Sequence, residues 1–416
     1  MSKVIMIGCD LHDAKMVLKL CCDSGGAVRK SWVTSEVEGL IEYLRSFAAA
    51  HESSRIVFAY EASGQGFGLY DRLTEAGIEC HVLAPTHLPH TAHRRKNKTD
   101  DKDAEMILEE LRAHVLAGRK LPDVWVPSPQ TRCDRELVRW RLELCEQRTR
   151  IKNQIRNLLK RYQRPFPAWF SKSGEWSQRS VQWLREQAGF PAGEAVLAAR
   201  EGSPVDNASV PELDEAVQTT LESLVCVYET MCQQLKQLDK SILKLAGADR
   251  YRQFFRKLKL QQGVGTLTAM VFLTELGDLN RFANRRQLAA YLGLVPAAFE
   301  SGQRDDRKGH ITRQGPARVR HVLCQASWAA LRCSAEWRQK YDRIRRDSPK
   351  RSKIAIVAVM RLLAIAMWHA ARSQELDEVL AESDRLQAQT KTKRQTASVR
   401  ARQKGVAPPA VAITSP

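Results

Sequence analysis

Hydrophobic residues in the N-terminal part of the chain occur both in short unbroken runs and at helical spacing. The unbroken runs predict strands, which cover residues 4–10, 16–22, 27–33, 55–60 and 80–83. Apolar positions three and four residues apart predict helices over 37–44 and 67–76. The turn at 23–26 is short and contains two glycines, so the first three strands form an antiparallel meander. The predicted order is therefore β-β-β-α-β-α-β, a mixed α/β domain.

This order of elements is the order of an RNase H-like domain, in which the first and fourth strands are parallel neighbours. Asp10 ends the first predicted strand, and Glu61 ends the fourth. Parallel neighbours bring their carboxyl ends to one edge of the sheet, where open α/β folds place their sites. The two carboxylates are therefore expected to emerge side by side.

The rest of the chain is predicted to be mostly α-helical. After a proline-bounded linker at 122–129 come two long helices, over 131–163 and 210–246, and apolar steps of three and four in the second form a coiled-coil seam. These two helices are expected to pair as an antiparallel arm. Helices over 317–331 and 354–371 complete a helical C-terminal domain.

Shifts in composition and pattern divide the chain into four predicted parts. They are the α/β domain 1–125, the coiled-coil arm 126–250 with an irregular insertion at 165–210, the C-terminal domain 251–372, and a basic, disordered tail at 373–416. The insertion carries Trp169, Trp176 and Trp183, for which we favour core packing over stacking on bases.

The charge balance predicts a polyanionic partner. The formal net charge is +19 and the sequence pI is about 9.7, so nucleic acid is expected in preference to a membrane surface. The apolar stretch 354–368 contains Arg361 and is short, which predicts a buried helix and no membrane span. The ten cysteines include no C-x-x-C pair and are interpreted as reduced thiols of a cytoplasmic, nucleoid-associated protein.

A basic run that leads into three aspartates precedes one of the predicted helices. Thr99 or Asp100 can cap this helix, which leaves Asp100 and Asp103 one turn apart on the same face. Together with Asp10 and Glu61, they can form a cluster of four carboxylates that suits two Mg²⁺ ions about 4 Å apart. The alternative is an ordinary acidic first turn that complements the helix dipole.

Basic residues in two segments are predicted to contact a nucleic-acid backbone. They are Arg94, Arg95, Lys96 and Lys98 before the aspartates, and Arg148, Lys152 and Arg156 on the helix 131–163. For the helix, an ordinary solvated face is the alternative. Gly263 and Gly265 resemble the turn of a helix-hairpin-helix, whose backbone N–H groups hold a phosphate, although a plain tight turn also fits.

Ser301 precedes a glycine and can present its hydroxyl on an exposed turn, which makes it a candidate nucleophile. Nearby cations can offset the charge of a pentavalent phosphorus, and they are Arg304, Arg307, Lys308 and Arg313. Most Ser-Gly pairs are only turns, which is the competing interpretation. His310 can serve either as a base for the serine or as a simple phosphate donor.

These motifs together resemble a known family. Asp10, Glu61 and Thr99-Asp100-x-x-Asp103-Ala104 form a first block. A second block follows in the expected order and reads Gly293-Leu294-x-Pro296, Ser301-Gly302, Arg307-x-Gly309-x-Ile311-x-Arg313-x-Gly315 and Arg320. Over 1–163 and 255–330 the chain is similar to the DEDD transposases of bacterial insertion sequences, the insertion-sequence one-ten family, which are related to the Piv invertases.

The resemblance implies a RuvC-like domain and a helical C-terminal transposase domain in which Ser301 is the nucleophile. The implied Mg²⁺ ligands are Asp10, Glu61, Asp100 and Asp103. It also implies donor and target double-stranded DNA as substrates, and a structured non-coding guide RNA, the bridge RNA, that selects them by base pairing. Dimers that assemble into a tetramer on DNA, with active sites shared between subunits, are implied in the same way.

The chain departs from the family pattern in two places. Gln262 stands where the family's helix-hairpin-helix commonly has proline, and residues 165–210 match no family pattern. Asp101 also competes with Asp100 as a metal ligand, and the family spacing favours Asp100.

We therefore predict an RNA-guided, site-specific DNA recombinase that cuts and rejoins DNA through a phosphoserine link to Ser301. The main alternative among enzymes is a Mg²⁺-dependent Holliday-junction-type nuclease, in which an activated water attacks and Ser301 only positions DNA. A non-catalytic nucleic-acid-binding scaffold, driven by charge, is the alternative from another class.

Overall fold

The computed structural model describes residues 3–22, 28–34, 36–52, 55–88, 99–164, 166–167, 175–190, 213–298, 308–382 and 385. The chain forms two compact units, Met1–Ser128 and Pro129–Pro416. The first unit contains a mixed sheet with helices, and the second is mostly helical. This is the predicted combination of an α/β part with a helical part.

The first unit is built on five strands and three helices. Its strands are β1 (Val4–Leu11), β2 (Lys15–Cys22), β3 (Arg29–Thr34), β4 (Arg55–Glu61) and β5 (Glu79–Leu83). Its helices are α1 (Val37–Ala50), α2 (Gly68–Glu75) and α3 (Asp100–Ala117). The sheet order is β3-β2-β1-β4-β5, with β1, β2 and β3 antiparallel and β1, β4 and β5 parallel. The predicted order and the parallel pairing of the first and fourth strands are confirmed.

The two faces of the sheet bury different residues because side chains alternate along each strand. Cys9 and Tyr60 belong to the hydrophobic cluster that also contains residues of α1 and α2. Met6 and Ala59 belong to the cluster that contains residues of α3. Asp10 lies four residues after Met6, and Glu61 lies two residues after Ala59. Because side chains at even spacing share a face, Asp10 and Glu61 are on the face of the sheet that α3 covers.

The segment predicted as a linker at 122–129 begins as an extra edge of the sheet. Val124 N donates to Val82 O at 2.7 Å, and Ala84 N donates to Pro122 O at 2.8 Å. The physical reason is that β5 is an edge strand, whose unpaired backbone groups need partners. The first three residues of the predicted linker, 122–124, therefore still pair with the edge of the sheet.

The second unit contains nine helices among the described residues. They are α4 (Pro129–Arg161), α5 (Gln178–Gln187), α6 (Glu215–Ala246), α7 (Asp249–Lys259), α8 (Thr266–Leu276), α9 (Arg285–Tyr291), α10 (Ala317–Cys333), α11 (Ala335–Arg345) and α12 (Ser352–Arg372). A two-stranded hairpin of β6 (Pro296–Ala298) and β7 (Lys308–Ile311) lies between α9 and α10.

The helices α4 and α6 pack antiparallel, as predicted for the arm. Val138 near the start of α4 shares a cluster with Ile242 near the end of α6. Ile155 near the end of α4 shares another cluster with Val217 near the start of α6. Such pairing buries the apolar seam of both helices, which neither helix could do alone.

Tryptophans from the irregular insertion pack into the arm. Trp176 contacts Phe166 at a ring-centroid distance of 5.5 Å and Tyr228 of α6 at 4.9 Å, and Trp183 also contacts Phe166. Core packing is therefore confirmed for Trp176 and Trp183. Trp169 lies outside the described residues.

The apolar helix α12 is a core element of the second unit. By length and composition alone it could cross a membrane, but 56% of its apolar window is buried inside the structure. Val359 and Leu363 are completely buried, and Trp368 Nε1 donates to Leu279 O at 2.9 Å. The prediction of a buried helix at this position is confirmed.

Candidate metal site and nucleic-acid interface

The first turn of α3 carries the aspartates that the sequence singled out. Thr99 is its N-cap, and the Thr99 hydroxyl accepts a hydrogen bond from Lys102 N at 3.4 Å. Asp100, Asp101 and Asp103 all lie in this turn, where the positive end of the helix dipole favours negative charge. The cap thus fixes where the helix starts and which way its acidic residues face.

Gly8 in the middle of β1 allows α3 to touch the sheet. A Cβ atom at this position would lie 2.4 Å from Ala104 O and 2.4 Å from Leu108 N, closer than real side chains approach. The backbone of α3 therefore crosses β1 at a distance that only glycine permits. This contact brings the first turn of α3 to the end of β1, where Asp10 lies.

Asp10, His12 and Asp100 meet at this place. His12 Nε2 lies 3.1 Å from Asp10 Oδ2 and 3.4 Å from Asp100 Oδ1. One ligand atom from each of the three residues lies within 4.8 Å of the others. Lys15 Nζ contacts the second Asp100 oxygen at 3.0 Å. Two predicted ligands from distant parts of the sequence are thus brought together, with the His12 imidazole and the Lys15 ammonium beside them.

The carboxylate of Asp103, in the same first turn of α3 as Asp100, also influences the pKa of Asp10. Burial raises the pKa of Asp10, and the nearby carboxylates of Asp103 and Asp100 raise it further, while His12 lowers it. In the parallel pairing of β1 with β4, Cys9 lies opposite Tyr60. The next residue on each strand is Asp10 and Glu61, respectively, so the two are at the same level of the sheet. A concentration of carboxylates that raises a pKa in this way is relieved by a divalent cation.

Asp101 has a different set of partners from Asp100. Its carboxylate contacts Lys30 Nζ at 2.6 Å and Lys19 Nζ at 3.0 Å, and these lysines lower the pKa of Asp101. Lys19 and Lys30 are directly opposite each other in the β2–β3 pairing. Asp101 therefore ties the first turn of α3 to two strands, and Asp100 is the aspartate that faces Asp10.

Four cationic or imidazole side chains at this site were missed from the sequence. They are His12, Lys15, Lys19 and Lys30. The sequence spacing could have indicated two of these contacts. His12 lies two residues after Asp10 and Lys19 lies four after Lys15, and residues an even number apart share one face of a strand.

The second block of motifs lies at the β6–β7 hairpin. Ser301 lies between β6 and β7 in the sequence, outside the described residues. The stem is described, with Pro296 opposite Ile311 and Ala298 opposite Lys308. The following predicted residues also lie outside the described residues: Arg94, Arg95, Lys96, Lys98, Arg304, Arg307 and the side chain of Lys308.

The base of the hairpin is held by close backbone contacts. Gly293 and Gly315 have φ values of 64° and 79°, and a Cβ on Gly315 would lie 1.9 Å from Tyr291 O. Arg320 Nη1 donates to three carbonyl oxygens here, those of Leu292, Gln314 and Gly315, each at 3.1 Å. The strands that lead into and out of the loop are therefore anchored to the ends of α9 and α10.

Comparison with known protein families agrees with both blocks of motifs. A family model for DEDD transposases of the IS110 type matches residues 7–164, and the model described as "Transposase IS116/IS110/IS902 family" matches residues 256–342. The two matches fall on the two places that the geometry singles out. The chain belongs to the IS110-type transposases.

Individual relatives of this transposase are similar over most of their length. The y4qE protein of Sinorhizobium fredii is 28% identical over 89% of this chain and 83% of its own. The transposase for insertion sequence element IS1533 of Leptospira borgpetersenii is 22% identical, over 79% of this chain and 86% of its own. The transposase for insertion sequence element IS1111A of Coxiella burnetii is 25% identical, over 80% of this chain and 79% of its own.

A transposase acts on DNA, so its basic residues matter, but several arginines of α4 serve the transposase's own core. Arg135 donates from Nε to Thr274 O at 2.6 Å and from Nη2 to Glu275 O at 2.9 Å. Arg139 pairs with both Glu275 oxygens at 2.7 and 2.8 Å, and Arg141 makes an ion pair with α6. These three arginines therefore tie α4 to α8 and α6.

The predicted contacts Arg148, Lys152 and Arg156 lie further along α4, beside the aromatic cluster. Lys152 Nζ lies 4.9 Å from the centroid of the Trp176 ring, and burial lowers the pKa of Lys152. Arg156 pairs with Glu175 at 2.6 Å, and Arg148 donates to a cysteine sulfur one turn away. All three side chains contact their own chain, and their contact with nucleic acid stays a prediction.

The two glycines of the predicted helix-hairpin-helix occupy different surroundings. Gly263 has a φ of 83°, and a Cβ there would lie 2.5 Å from Ala326 O and 2.5 Å from Ala330 N of α10. Gly265 is the N-cap of α8, with nothing within 4 Å of its Cβ position. Packing accounts for Gly263, whereas open space above Gly265 fits the predicted phosphate contact.

Proposed function

We propose that this transposase is an RNA-guided, site-specific DNA recombinase whose first unit is a RuvC-like domain. One observation carries the proposal. Ligand atoms of Asp10 and Asp100 lie within 4.8 Å of each other, Asp103 follows in the same helical turn as Asp100, and β1 pairs with the strand that ends in Glu61. The four candidate carboxylates come from three distant parts of the sequence. An acidic first turn that only complements the helix dipole would not require acidic residues at the ends of β1 and β4 as well.

The residues present fit Mg²⁺. The donor set is made of hard carboxylate oxygens, and Lys15 already supplies a positive charge at 3.0 Å from Asp100. We assign Asp10, Glu61, Asp100 and Asp103 as the residues that hold the metal. When bound, a divalent ion supplies Lewis-acid stabilisation of the negative charge that builds up on a phosphate.

Ser301 is proposed as the nucleophile. Its Oγ attacks the phosphorus of a phosphodiester, the P–O3′ bond breaks, and the serine proton ends on the departing 3′ oxygen. The products are a phosphoserine link and a free 3′-hydroxyl, which can later attack in reverse to rejoin DNA without an external energy source. The cations Arg304, Arg307, Lys308 and Arg313 are assigned to the phosphate, and His310 is a candidate base.

The proposal extends to partners and to the parts of the chain. A structured guide RNA, the bridge RNA, would select donor and target DNA, and dimers would assemble into a tetramer on DNA. The motif resemblance supports these assignments, and the net charge of +19 supports the nucleic-acid partners. The arm 126–250, with its insertion, the domain 251–372 and the tail 373–416 are proposed as separate parts of the chain after the α/β domain. Sequencing the RNA that co-purifies with the protein tests the guide.

The experiment that tests the function is detection of a covalent protein–DNA adduct. Protein with its co-purified RNA is incubated with a plasmid carrying its own insertion sequence and Mg²⁺, and the products are separated on a denaturing gel. We expect an adduct that disappears with EDTA and in Ser301→Ala. Ser241→Ala, at an exposed position on α6, is the matched control and should form the adduct normally.

Other outcomes identify the competing functions. If Ser301→Ala still cuts DNA, the protein is a Holliday-junction-type nuclease and the serine mechanism is wrong. If Asp103→Asn leaves every activity intact, the scaffold function is correct and the metal site is not used.

A further inference from the structure

The turn that joins α11 to α12 is strongly basic and lies beyond the family match, which ends at residue 342. Residues 343–353, which we name the basic turn, contain six cationic side chains. They are Arg343, Arg345, Arg346, Lys350, Arg351 and Lys353. Asp347 is the one acidic residue within this segment. The net charge of eleven consecutive residues is therefore +5.

None of these six side chains has an ion pair or a side-chain hydrogen bond within the part of the chain that the structure describes. Arg343, Arg346, Lys350 and Lys353 are exposed. The Nε atom of Arg345 is buried and has no acceptor. The arginines of α4 behave in the opposite way, since Arg139 is paired with both oxygens of Glu275.

The backbone keeps these charges close together. Arg346 and Asp347 have φ values of 51° and 52°, a left-handed backbone conformation that residues other than glycine rarely adopt. Ser348 N donates to Arg345 O at 3.2 Å, and Arg351 N donates to Ser348 O at 3.0 Å. The backbone of the turn is therefore compact, and it carries six cationic residues within eleven positions. Lys353 adds charge in the first turn of α12, where acidic residues are normally preferred.

We propose that the basic turn binds the phosphodiester backbone of duplex DNA. A row of phosphates supplies acceptors for several exposed cations at once. DNA is preferred over other polyanions because the chain belongs to a family of transposases. The inference rests on the DNA substrate of the proposed function, but it requires neither the metal site nor Ser301.

Charge-matched variants of the full chain test this surface. The first is Arg346→Asn, Lys350→Gln, Lys353→Gln, with asparagine chosen because it tolerates the left-handed backbone. The control is Lys236→Gln, Lys240→Gln, Lys244→Gln, which removes three exposed lysines from one stripe of α6. Affinity for a duplex of arbitrary sequence and for a structured RNA is measured in EDTA, over a range of salt concentrations.

We expect the basic-turn variant to bind DNA about tenfold or more weakly at low salt. The slope of log affinity against log salt should also fall, by about 0.9 for each phosphate that the variant no longer neutralises. The control should keep both the affinity and the slope within about twofold of the wild type. Equally weakened DNA binding in both variants, or weakened binding of the RNA alone, would overturn the proposal. Because no cleavage occurs in EDTA, failure here is distinct from failure of the serine mechanism.

Lysine footprinting gives a second measurement that needs no variant. The wild-type protein is acetylated briefly with and without the duplex, and modified lysines are counted by mass spectrometry. We expect DNA to protect Lys350 and Lys353 and to leave Lys236, Lys240 and Lys244 unchanged. Full reactivity of Lys350 and Lys353 in the complex contradicts the proposal.

Discussion

The acidic edge of the sheet and the base of the β6–β7 hairpin are both built on glycines that permit close backbone contacts. Gly8 lets α3 lie against β1, and Gly315 lets the hairpin base lie against Tyr291 O. In each place a charged side chain fixes the approach: Asp101 bonds to two lysines, and Arg320 bonds to three carbonyl groups. The two regions therefore share a way of being held in place.

They differ in what the regular elements carry. At the sheet edge, the candidate ligands are themselves residues of a strand end and of a first helical turn. At the hairpin, the candidate nucleophile Ser301 lies in sequence between the two strands, and the described elements hold only the strands themselves. Changes at the sheet edge should therefore affect metal binding directly, whereas changes at the hairpin base should affect the serine step alone.

The largest expected effect comes from removing the carboxylates. Asp10→Asn and Asp103→Asn should each lower the rate of DNA cleavage by at least about a thousandfold, because each removes charge from the metal site. DNA affinity in EDTA should not fall. Asp13→Asn is the matched control, since Asp13 is exposed and bonds to Gln65. Normal cleavage by Asp103→Asn, measured on the plasmid substrate, would contradict the assignment.

A smaller but still large effect is expected from Gly8→Ala. The added Cβ forces α3 away from β1, which should lower the free energy of unfolding by about 1–3 kcal/mol. A shift of about 1 Å in the aspartates should also slow cleavage by about a hundredfold. Gly39→Ala is the control, because nothing lies within 4 Å of its Cβ position. Equal stability of the two variants in thermal and urea unfolding would show that the Gly8 contact is unimportant.

The hairpin base is tested by Arg320→Met. Removal of the three hydrogen bonds to carbonyl groups should slow adduct formation at Ser301 by about tenfold. Mg²⁺ affinity, measured by calorimetry, should be unchanged, since the first unit is intact. Arg318→Met, at an exposed position on α10, should behave as the wild type. Weaker Mg²⁺ binding in Arg320→Met would remove the distinction between the two regions.

The smallest expected effect belongs to Lys15→Met. Lys15 competes with a metal ion for Asp100, at 3.0 Å, but the pair is substantially exposed. Mg²⁺ should therefore bind somewhat more tightly, by no more than about fivefold. Lys3→Met, which removes an exposed pair with Glu52, is the control and should leave Mg²⁺ affinity unchanged. Weaker Mg²⁺ binding in Lys15→Met would mean that Lys15 supports the site and does not compete for it.

The sequence predicted the sheet and its acidic edge well because both depend on local patterns. Strand runs and the carboxylates at their ends follow from alternation and from the order of elements, so Asp10 and Glu61 could be placed in advance. The partners of Asp101 were missed, because Lys19 and Lys30 become neighbours only when β2 and β3 pair. The internal use of Arg139 was missed for the same reason, since Glu275 lies 136 residues away.

Charge alone does not show which basic residues of a helix have partners inside the protein. The sequence predicted nucleic-acid contacts for Arg148, Lys152 and Arg156 of α4, whereas Arg135, Arg139 and Arg141 of the same helix have partners inside the protein. The role of a basic residue is therefore decided by whether the fold supplies its counter-charge. In the basic turn, the described residues supply no counter-charge. The proposal of DNA binding there rests on this difference from α4 and on no sequence motif.

The most direct test of the central claim is to map the metal site with Fe²⁺. In the presence of ascorbate and peroxide, Fe²⁺ bound in place of Mg²⁺ generates radicals that cut the polypeptide close to the metal. We predict cuts clustered near residues 10, 61 and 100–103, suppressed by excess Mg²⁺ and absent in Asp10→Asn. Cuts at only one of these places, or a pattern that Asp10→Asn does not change, would contradict the convergence of these carboxylates on a shared metal.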